Sequence, residues 1–215
     1  MKKIILCIGI IFACALVLGI SLTIFYVTNT KYYYDEDFNI ETYKSSVDKD
    51  QDGIDDQTDI LDNVRKYIAT KPKYKSKYYS TGYPNDEYGV CVDVVAFGLK
   101  DAGYDLMELV NEDIVNNKEE YHIDNVDKKI DFRRVKNLRV FFKKYAVNLT
   151  LDLKDIADWQ GGDIVVFEKH VGIISDKRNK RGVPLVIHHY SIFQKSYEED
   201  ILEYRNDIVG HYRMS

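Results

Sequence analysis

Cys91 stands in the stretch "YGVCVDVVAFGLKDAG", where an apolar helical pattern begins. Val90, Val94, Val95 and Leu99 recur at helical spacing and Gly103 follows as a C-cap, so the cysteine falls in a first helical turn. Free backbone N–H groups and the helix dipole favour a thiolate there and can lower a thiol below its free value of about 8.5. A thiol nucleophile also needs a base, and the base needs a third group to orient it. His170 opens "HVGIISD", a β-branched run joined to "DIVVF" by Glu168 and Lys169, which reads as a hairpin. It shares a strand face with Gly172 and Ile174, and the glycine leaves that face uncrowded. "VPLVIHHY" reads as a third strand, with His188 on the face of Val186 and His189 on that of Ile187. Neighbouring strands would bring His170 together with one of that pair. Taken singly, a strand histidine is more often structural, and a cysteine more often a small buried hydrophobe. Together, a helix-top cysteine followed by two strand histidines has the order of a thiol hydrolase. His122 and His211 read as structural or surface residues, Trp159 as a packing anchor, and "GHYR" as a closing edge strand.

A second chemistry is written in "DKDQDGIDDQTD", residues 48–59. Asp48, Asp50, Asp52, Asp56 and Asp59 fall at positions one, three, five, nine and twelve, the Ile54 carbonyl at seven, and Gly53 at the sharp turn. This is the ligand spacing of an EF-hand loop, in which one short segment turns about six or seven oxygens toward a hard cation. Position twelve is Asp rather than the longer Glu. Upstream, "YDEDFNIETYKSS" does not read as a helix, whereas downstream Ile60, Leu61, Val64, Tyr67 and Ile68 do. The expectation is half of an EF-hand, holding a structural Ca2+; the bland alternative is an acidic, solvated linker.

Arg133 and Arg134 in "DFRRV" have two readings. They grip a substrate carboxylate bidentately, or one of them pairs with Asp131 or Asp93 as scaffold.

These residues must be carried by some architecture. Lys2 and Lys3 precede an uncharged stretch from Ile4 to about Thr30, long enough as a helix to cross a bilayer and without a small-x-small cleavage site. The expectation is a signal-anchor over residues 1–30, with a cytoplasmic N-terminus and the rest outside the cell. That leaves Cys91 as the only exported cysteine of three, so a disulfide scaffold and a two-cysteine redox site are both disfavoured. Net charge is −5, which gives no support for nucleic-acid binding. Residues 31–47, tyrosine-rich and polar, read as a stalk, and residues 60–215 as one domain. "DLMELVNEDIVNN" and "VKNLRVFFKKYA" read as helices covering an antiparallel sheet that starts at Asp163. The fold class expected is α+β.

Six blocks in order, "YPNDEYGVCVDVV", "KIDFRRVKNLRVFF", "GGDIVVF", "HVGIISDKRN", "VIHH" and "GHYR", resemble a bacterial domain-of-unknown-function family, number 1287, over Asp52 to Arg213. That family in turn resembles the NlpC-type, papain-like cell-wall cysteine peptidases. The resemblance implies a papain-like helix-plus-antiparallel-sheet domain, with Cys91 as nucleophile, His170 as general base and His188 as the polar third member. Asp93 matches the acidic or polar position two after the nucleophile and joins Arg133 and Arg134 as a substrate-binding candidate. The sequence departs from the wider superfamily in having "VCVD" where "DCSG" is frequent. The function implied is a membrane-anchored extracellular endopeptidase or amidase acting on peptidoglycan peptides, in a Gram-positive bacterium, without an organic cofactor. The alternative is a non-catalytic wall-binding or scaffolding module braced by calcium.

Overall fold

The computed structural model describes residues 9, 11–21 and 32–214, and the chain divides into two units, Met1–Tyr32 and Tyr33–Ser215. In the first unit, residues 11–21 are helical. The rest of the expected anchor, residues 1–30, lies outside the described residues. Among the described residues no helix is long and apolar enough to cross a membrane.

The second unit is a mixed α+β fold. Helix α1 (Asp56–Ala69) starts at Asp55, whose carboxylate accepts from the Thr58 N–H at 3.2 Å, and its buried Ile60, Leu61 and Val64 form the apolar stripe. A two-residue parallel bridge, β1 (Lys73–Tyr74) with β2 (Tyr88–Gly89), leads into helix α2 (Cys91–Asp101). Asp93 caps α2 by accepting the Val90 N–H at 2.8 Å. The two helices cross closely at Gly98, where a Cβ would run into the Val64 side chain. Helix α3 (Leu106–Asn116) and helix α4 (Val135–Tyr145) follow where the apolar spacing places them, separated by the single turns Lys118–Tyr121 and Lys128–Asp131.

The remaining chain forms β3 (Val147–Asn148), β4 (Ile164–Phe167), β5 (Val171–Arg178), β6 (Pro184–Ile187), β7 (Glu198–Glu199) and β8 (Ile208–Arg213). They make one antiparallel sheet in the order β3-β8-β4-β5-β6-β7. Ile164, Val166, Val171, Ile173, Ile187 and Tyr212 face the helices and share their core. On the other face, Val165, Phe167, Ile174 and Val186 pack with Trp159 and Leu202. The hairpin between β4 and β5 turns at Glu168 and Lys169, closed by the Phe167 N–H donating to the His170 carbonyl at 2.8 Å.

Two expectations are corrected. The strand containing "GHYR" is not an edge: β8 lies between β3 and β4, because Val147 and Asn148 pair outside it. Residues 33–47 are not a free stalk. Tyr33 exchanges backbone hydrogen bonds with Arg178, and the Asp35 carboxylate takes Nε of the fully buried Arg178 at 2.6 Å. A guanidinium in the interior is stable only with such partners, so the polar segment is held in place by it.

Candidate functional site

Cys91 is the first residue of α2, and the sheet delivers the histidines to the same region. The sulfur is held among the core residues that include Val171, the first residue of β5 and the neighbour of His170. Burial pushes its thiol up to about 11. The backbone N–H of Val171 acts in the opposite direction, as do those of Val92 and Cys91 itself, since donors directed at sulfur favour the thiolate. The lowering that a helix N-terminus can give does not prevail here: desolvation outweighs the three amides.

His170 and His188 meet with Nε2 of the first 2.9 Å from Nδ1 of the second. Both rings are buried, at 8% and 2% exposure, and burial lowers His170 to about 4 and His188 to about 3. Gly172 permits their approach. A Cβ there would stand 2.9 Å from the Ile187 carbonyl oxygen and 3.2 Å from the His188 Cβ, in the space the neighbouring strand occupies. The far nitrogen of His188, Nε2, lies 3.2 Å from Oε2 of Glu199, although the pair is not aligned as a hydrogen bond. Tyr190 stacks on His188 at 5.4 Å between ring centres and stands edge-on to His170 at 6.4 Å. Arg205, paired with Asp207 at 2.6 Å, contributes a positive charge that also lowers His170. Among the described residues the Cys91 sulfur has no side-chain hydrogen bond, so in this conformation the His170 ring is not bonded to it, although the backbone amide of the next residue, Val171, is directed at the sulfur.

His189 turns away from this pair. Its ring stands edge-on to Tyr74 at 5.2 Å and to Tyr197 at 5.0 Å. Burial raises the Tyr74 hydroxyl, and negative charge on Cys91 would act on it in the same direction. Beside His189 opens a cavity of about 730 Å³ whose lining includes Arg65, Lys71, Lys177, Lys195 and Glu198.

The other candidates fall elsewhere. Asp93 and Arg133 are turned onto each other inside the protein: Nε and Nη2 of Arg133 donate to the two carboxylate oxygens at 2.6 and 2.8 Å. Nη1 of Arg133 donates to the Lys77 carbonyl at 2.6 Å, which ties the segment before Cys91 to its helix. Of the two readings of these residues, the geometry is that of scaffold, since no face of this guanidinium is left for a substrate. Arg134 is exposed and stands 3.4 Å from Asp131. His211 is structural, stacked on Trp159 at 3.8 Å and bonded to Asp163 at 3.0 Å and the Thr150 carbonyl at 2.8 Å. Glu199, Tyr74, Tyr190 and Arg205 were not singled out from sequence, because each sits in a polar loop or a two-residue strand without periodic pattern.

In the acidic loop, ligand oxygens of Asp48, Asp50 and Asp52 all lie within 4.8 Å of one another. Asp59, at 3% exposure, leaves Oδ2 without a hydrogen-bond partner, and burial together with the charges of Asp52 and Asp50 pushes its carboxyl up to about 6. Asp56 is engaged otherwise, accepting the Lys49 N–H at 2.7 Å and the Tyr104 hydroxyl.

Comparison with known proteins gives a family and no activity. No solved structure matches the chain. The protein is 36% identical over 167 residues to "Uncharacterized protein YijF" of Escherichia coli (strain K12), covering 72% of this chain and 80% of the relative. The family described as "Domain of unknown function (DUF1287)" matches residues 61–214, a span that holds Cys91, His170, His188 and Glu199, and the chain belongs to that family.

Proposed function

We propose that the protein is a cysteine hydrolase that cleaves amide bonds in cell-wall peptides, as an endopeptidase or amidase, on a papain-like (NlpC-type) arrangement. The observation that carries this reading is the His170–His188 contact at 2.9 Å, placed next to the Val171 amide that meets Cys91. The proton order follows from the neighbours. Glu199 near Nε2 of His188 favours a proton on that nitrogen, which leaves Nδ1 as an acceptor. Nε2 of His170 then carries the donor proton, and its Nδ1 is left as the base.

In the reaction, Nδ1 of His170 takes the thiol proton as Sγ bonds to the substrate carbonyl carbon. The resulting oxyanion is met by first-turn amides of α2, with Cys91 N–H the leading donor. Collapse breaks the C–N bond, and the His170 proton passes to the leaving amine. Water, deprotonated by the same nitrogen, then releases the acyl group and restores the thiol. Because the resting pair is neutral at pH 7, the base must act during attack rather than hold a preformed thiolate. The lysines beside His189 suit the free carboxylates of wall peptides, and an anchor over residues 1–30 would leave the domain outside the cell.

A second reading, a wall-binding module without catalysis, is favoured by one observation, the burial that holds the Cys91 thiol protonated. The two are separated by incubating purified peptidoglycan with the full chain and with Cys91→Ala, and analysing the muropeptides by mass spectrometry. New products that vanish in the variant support the hydrolase. Identical product patterns from both proteins would sink it.

A further inference from the structure

We infer that the cavity beside His189 seats a free carboxylate of the substrate, and that filling it completes the relay through His188, because one wall of the cavity is the loop that holds that histidine. The role given to His188 rests on the proposed hydrolysis; the binding of the anion does not. The cavity, of about 730 Å³, has room for a short peptide segment. In a chain of net charge −5, it is lined by Arg65, Lys71, Lys177 and Lys195 against a single carboxylate, Glu198. Glu198 is already committed, accepting from Arg65 at 3.2 Å, from Lys177 at 2.5 Å and from the Ser175 hydroxyl. Arg65 is further held by Asp176 at 3.0 Å. Lys71 and Lys195 have no ion pair among the described residues, so the surplus charge in the cavity is theirs. His189, at 4% exposure, also lines the cavity, and its Nδ1 is buried without a partner. An anion is the ligand that such a concave, positive site concentrates.

The coupling runs through the backbone of His188. Gln194, Ser196 and Tyr197 line the cavity from the loop between β6 and β7. The His188 N–H donates to the Tyr197 carbonyl at 2.8 Å, and the His188 carbonyl accepts Nε2 of Gln194 at 3.0 Å. Both backbone groups of the histidine are therefore held by residues that a ligand in the cavity would touch. The Gln194 side chain also accepts the Tyr190 N–H at 2.8 Å, and Tyr190 stacks on the His188 ring. On β7 the neighbours Glu198 and Glu199 point to opposite faces, the first toward the cavity cations and the second toward His188. Glu199 stops 3.2 Å from His188 Nε2 without alignment, and that buried nitrogen has no partner. β7 is an edge strand of two residues, so turning it gives up little pairing. A carboxylate held between Lys71, just past the end of α1, and Lys195, on the loop, draws the loop toward the helix and brings Glu199 into line with Nε2. Tighter binding to the aligned arrangement is what drives the shift.

The test is NMR of the full chain labelled with 15N-histidine, titrated at low salt with glutarate as the carboxylate probe and glutaramide as the uncharged control. The readout needs no turnover, so a failed peptidoglycan digest and a failed titration are separate results. Glutarate is expected to move the His188 ring nitrogens saturably toward the Nε2-protonated tautomer, and glutaramide to leave them in place. His211, which is not part of the cavity lining, serves as the reference for an intact fold. Lys71→Glu and Lys195→Glu should each weaken the glutarate titration by about 2- to 5-fold, and the double variant by roughly 4- to 25-fold. Glu199→Gln should keep the calorimetric binding of glutarate and lose the His188 response. Absence of saturable glutarate binding, or an equal response to glutaramide, overturns the carboxylate seat. A titration undiminished in the Lys71→Glu, Lys195→Glu double variant puts the anion elsewhere and overturns it as well. Binding that leaves the His188 signals unmoved overturns the coupling.

Discussion

Nε2 of His170 and Nδ1 of His188 lie 2.9 Å apart, in a part of the protein from which water is nearly excluded. Two neutral imidazoles make such a contact only if one donates and the other accepts. Burial depresses both rings, so the doubly protonated pair, which would place two cations side by side, is not formed near neutral pH. The contact is therefore a directional hydrogen bond, and its direction decides which nitrogen of His170 is basic. Glu199, 3.2 Å from the outer nitrogen of His188 though not aligned to bond it, favours a proton on that nitrogen.

Glu199→Gln tests that direction. The amide can donate to His188 Nε2 and so favour the opposite tautomer, which puts the proton on the wrong nitrogen of His170. Turnover is expected to drop by roughly 10–100-fold, the scale seen when an orienting outer partner is lost. His188→Ala, which removes the relay outright, should cost about 10²–10⁴-fold. Circular dichroism must show both variants folded. Full activity in Glu199→Gln would mean that Glu199 plays no part in orienting the ring.

The pH dependence of stability has a definite sign. The folded pKa values of His170 and His188, about 4 and about 3, lie below the ordinary value of 6.5. The unfolded chain therefore binds protons first as pH falls. Stability contributed by keeping these rings neutral is fully present above pH 6.5 and is lost progressively down to about 4 for His170 and about 3 for His188. Each ring contributes a slope of up to about 1.4 kcal/mol per pH unit in its window. Urea unfolding at a series of pH values should show His170→Gln and His188→Gln with flatter acid limbs than wild type. Parallel limbs in all three proteins would contradict the assigned shifts.

Reactivity of the cysteine gives a separate reading. With its thiol near 11, only about one molecule in 10⁴ carries the thiolate at pH 7. Alkylation of Cys91 by iodoacetamide should rise about tenfold per pH unit between 7 and 10. A rate already level by pH 7 would instead reveal a thiolate–imidazolium pair, and with it a conformation in which His170 swings onto the sulfur.

The catalytic candidates were legible because their signals are local. A β-branched run before Cys91's helix end, a two-residue hairpin before His170 and a doublet of histidines after an apolar strand all survive without tertiary knowledge. What escaped was whatever depends on long-range partners. "YKSS" and "YDEDF" look like solvated chain until a buried Arg178 claims Asp35 from 143 positions away. "GHYR" looks like an edge until two residues, Val147 and Asn148, cover it. The pairing of Arg133 with Asp93 was one of two readings, and only their separation in space decides it. Thiol desolvation is likewise a tertiary quantity, so a helix-terminus rule alone does not decide the direction at Cys91.

The Asp93–Arg133 pair should behave as scaffold. Both groups are essentially inaccessible, and the guanidinium also holds the Lys77 carbonyl at 2.6 Å. Removing one partner strands the other charge in the interior, at a cost of about 3–5 kcal/mol. Arg133→Ala should therefore lower the urea midpoint strongly. Whatever fraction remains folded should show an unchanged KM, because the side chain meets no substrate. A large KM change at normal stability would return Arg133 to the substrate.

Substrate charge is the last test, and it turns on two lysines. Along the cavity beside His189, Glu198 already holds Arg65 at 3.2 Å and Lys177 at 2.5 Å. Lys71 and Lys195 line the same space and have no ion pair among the described residues, so the net field there is positive. A peptide carrying a free carboxylate is drawn in by that field, whereas its amidated counterpart is not. Exposed charges act through solvent and are individually weak, so Lys71→Glu and Lys195→Glu should each raise KM for the acidic peptide by about 2- to 5-fold. Neither should change kcat, since each acts on the charge of the peptide through solvent rather than on the reacting atoms. Raising the salt concentration should erode the same preference in wild type, as screening shortens the reach of the lysines. If the acidic and amidated peptides keep the same KM in wild type at low salt, the cavity does not select by charge.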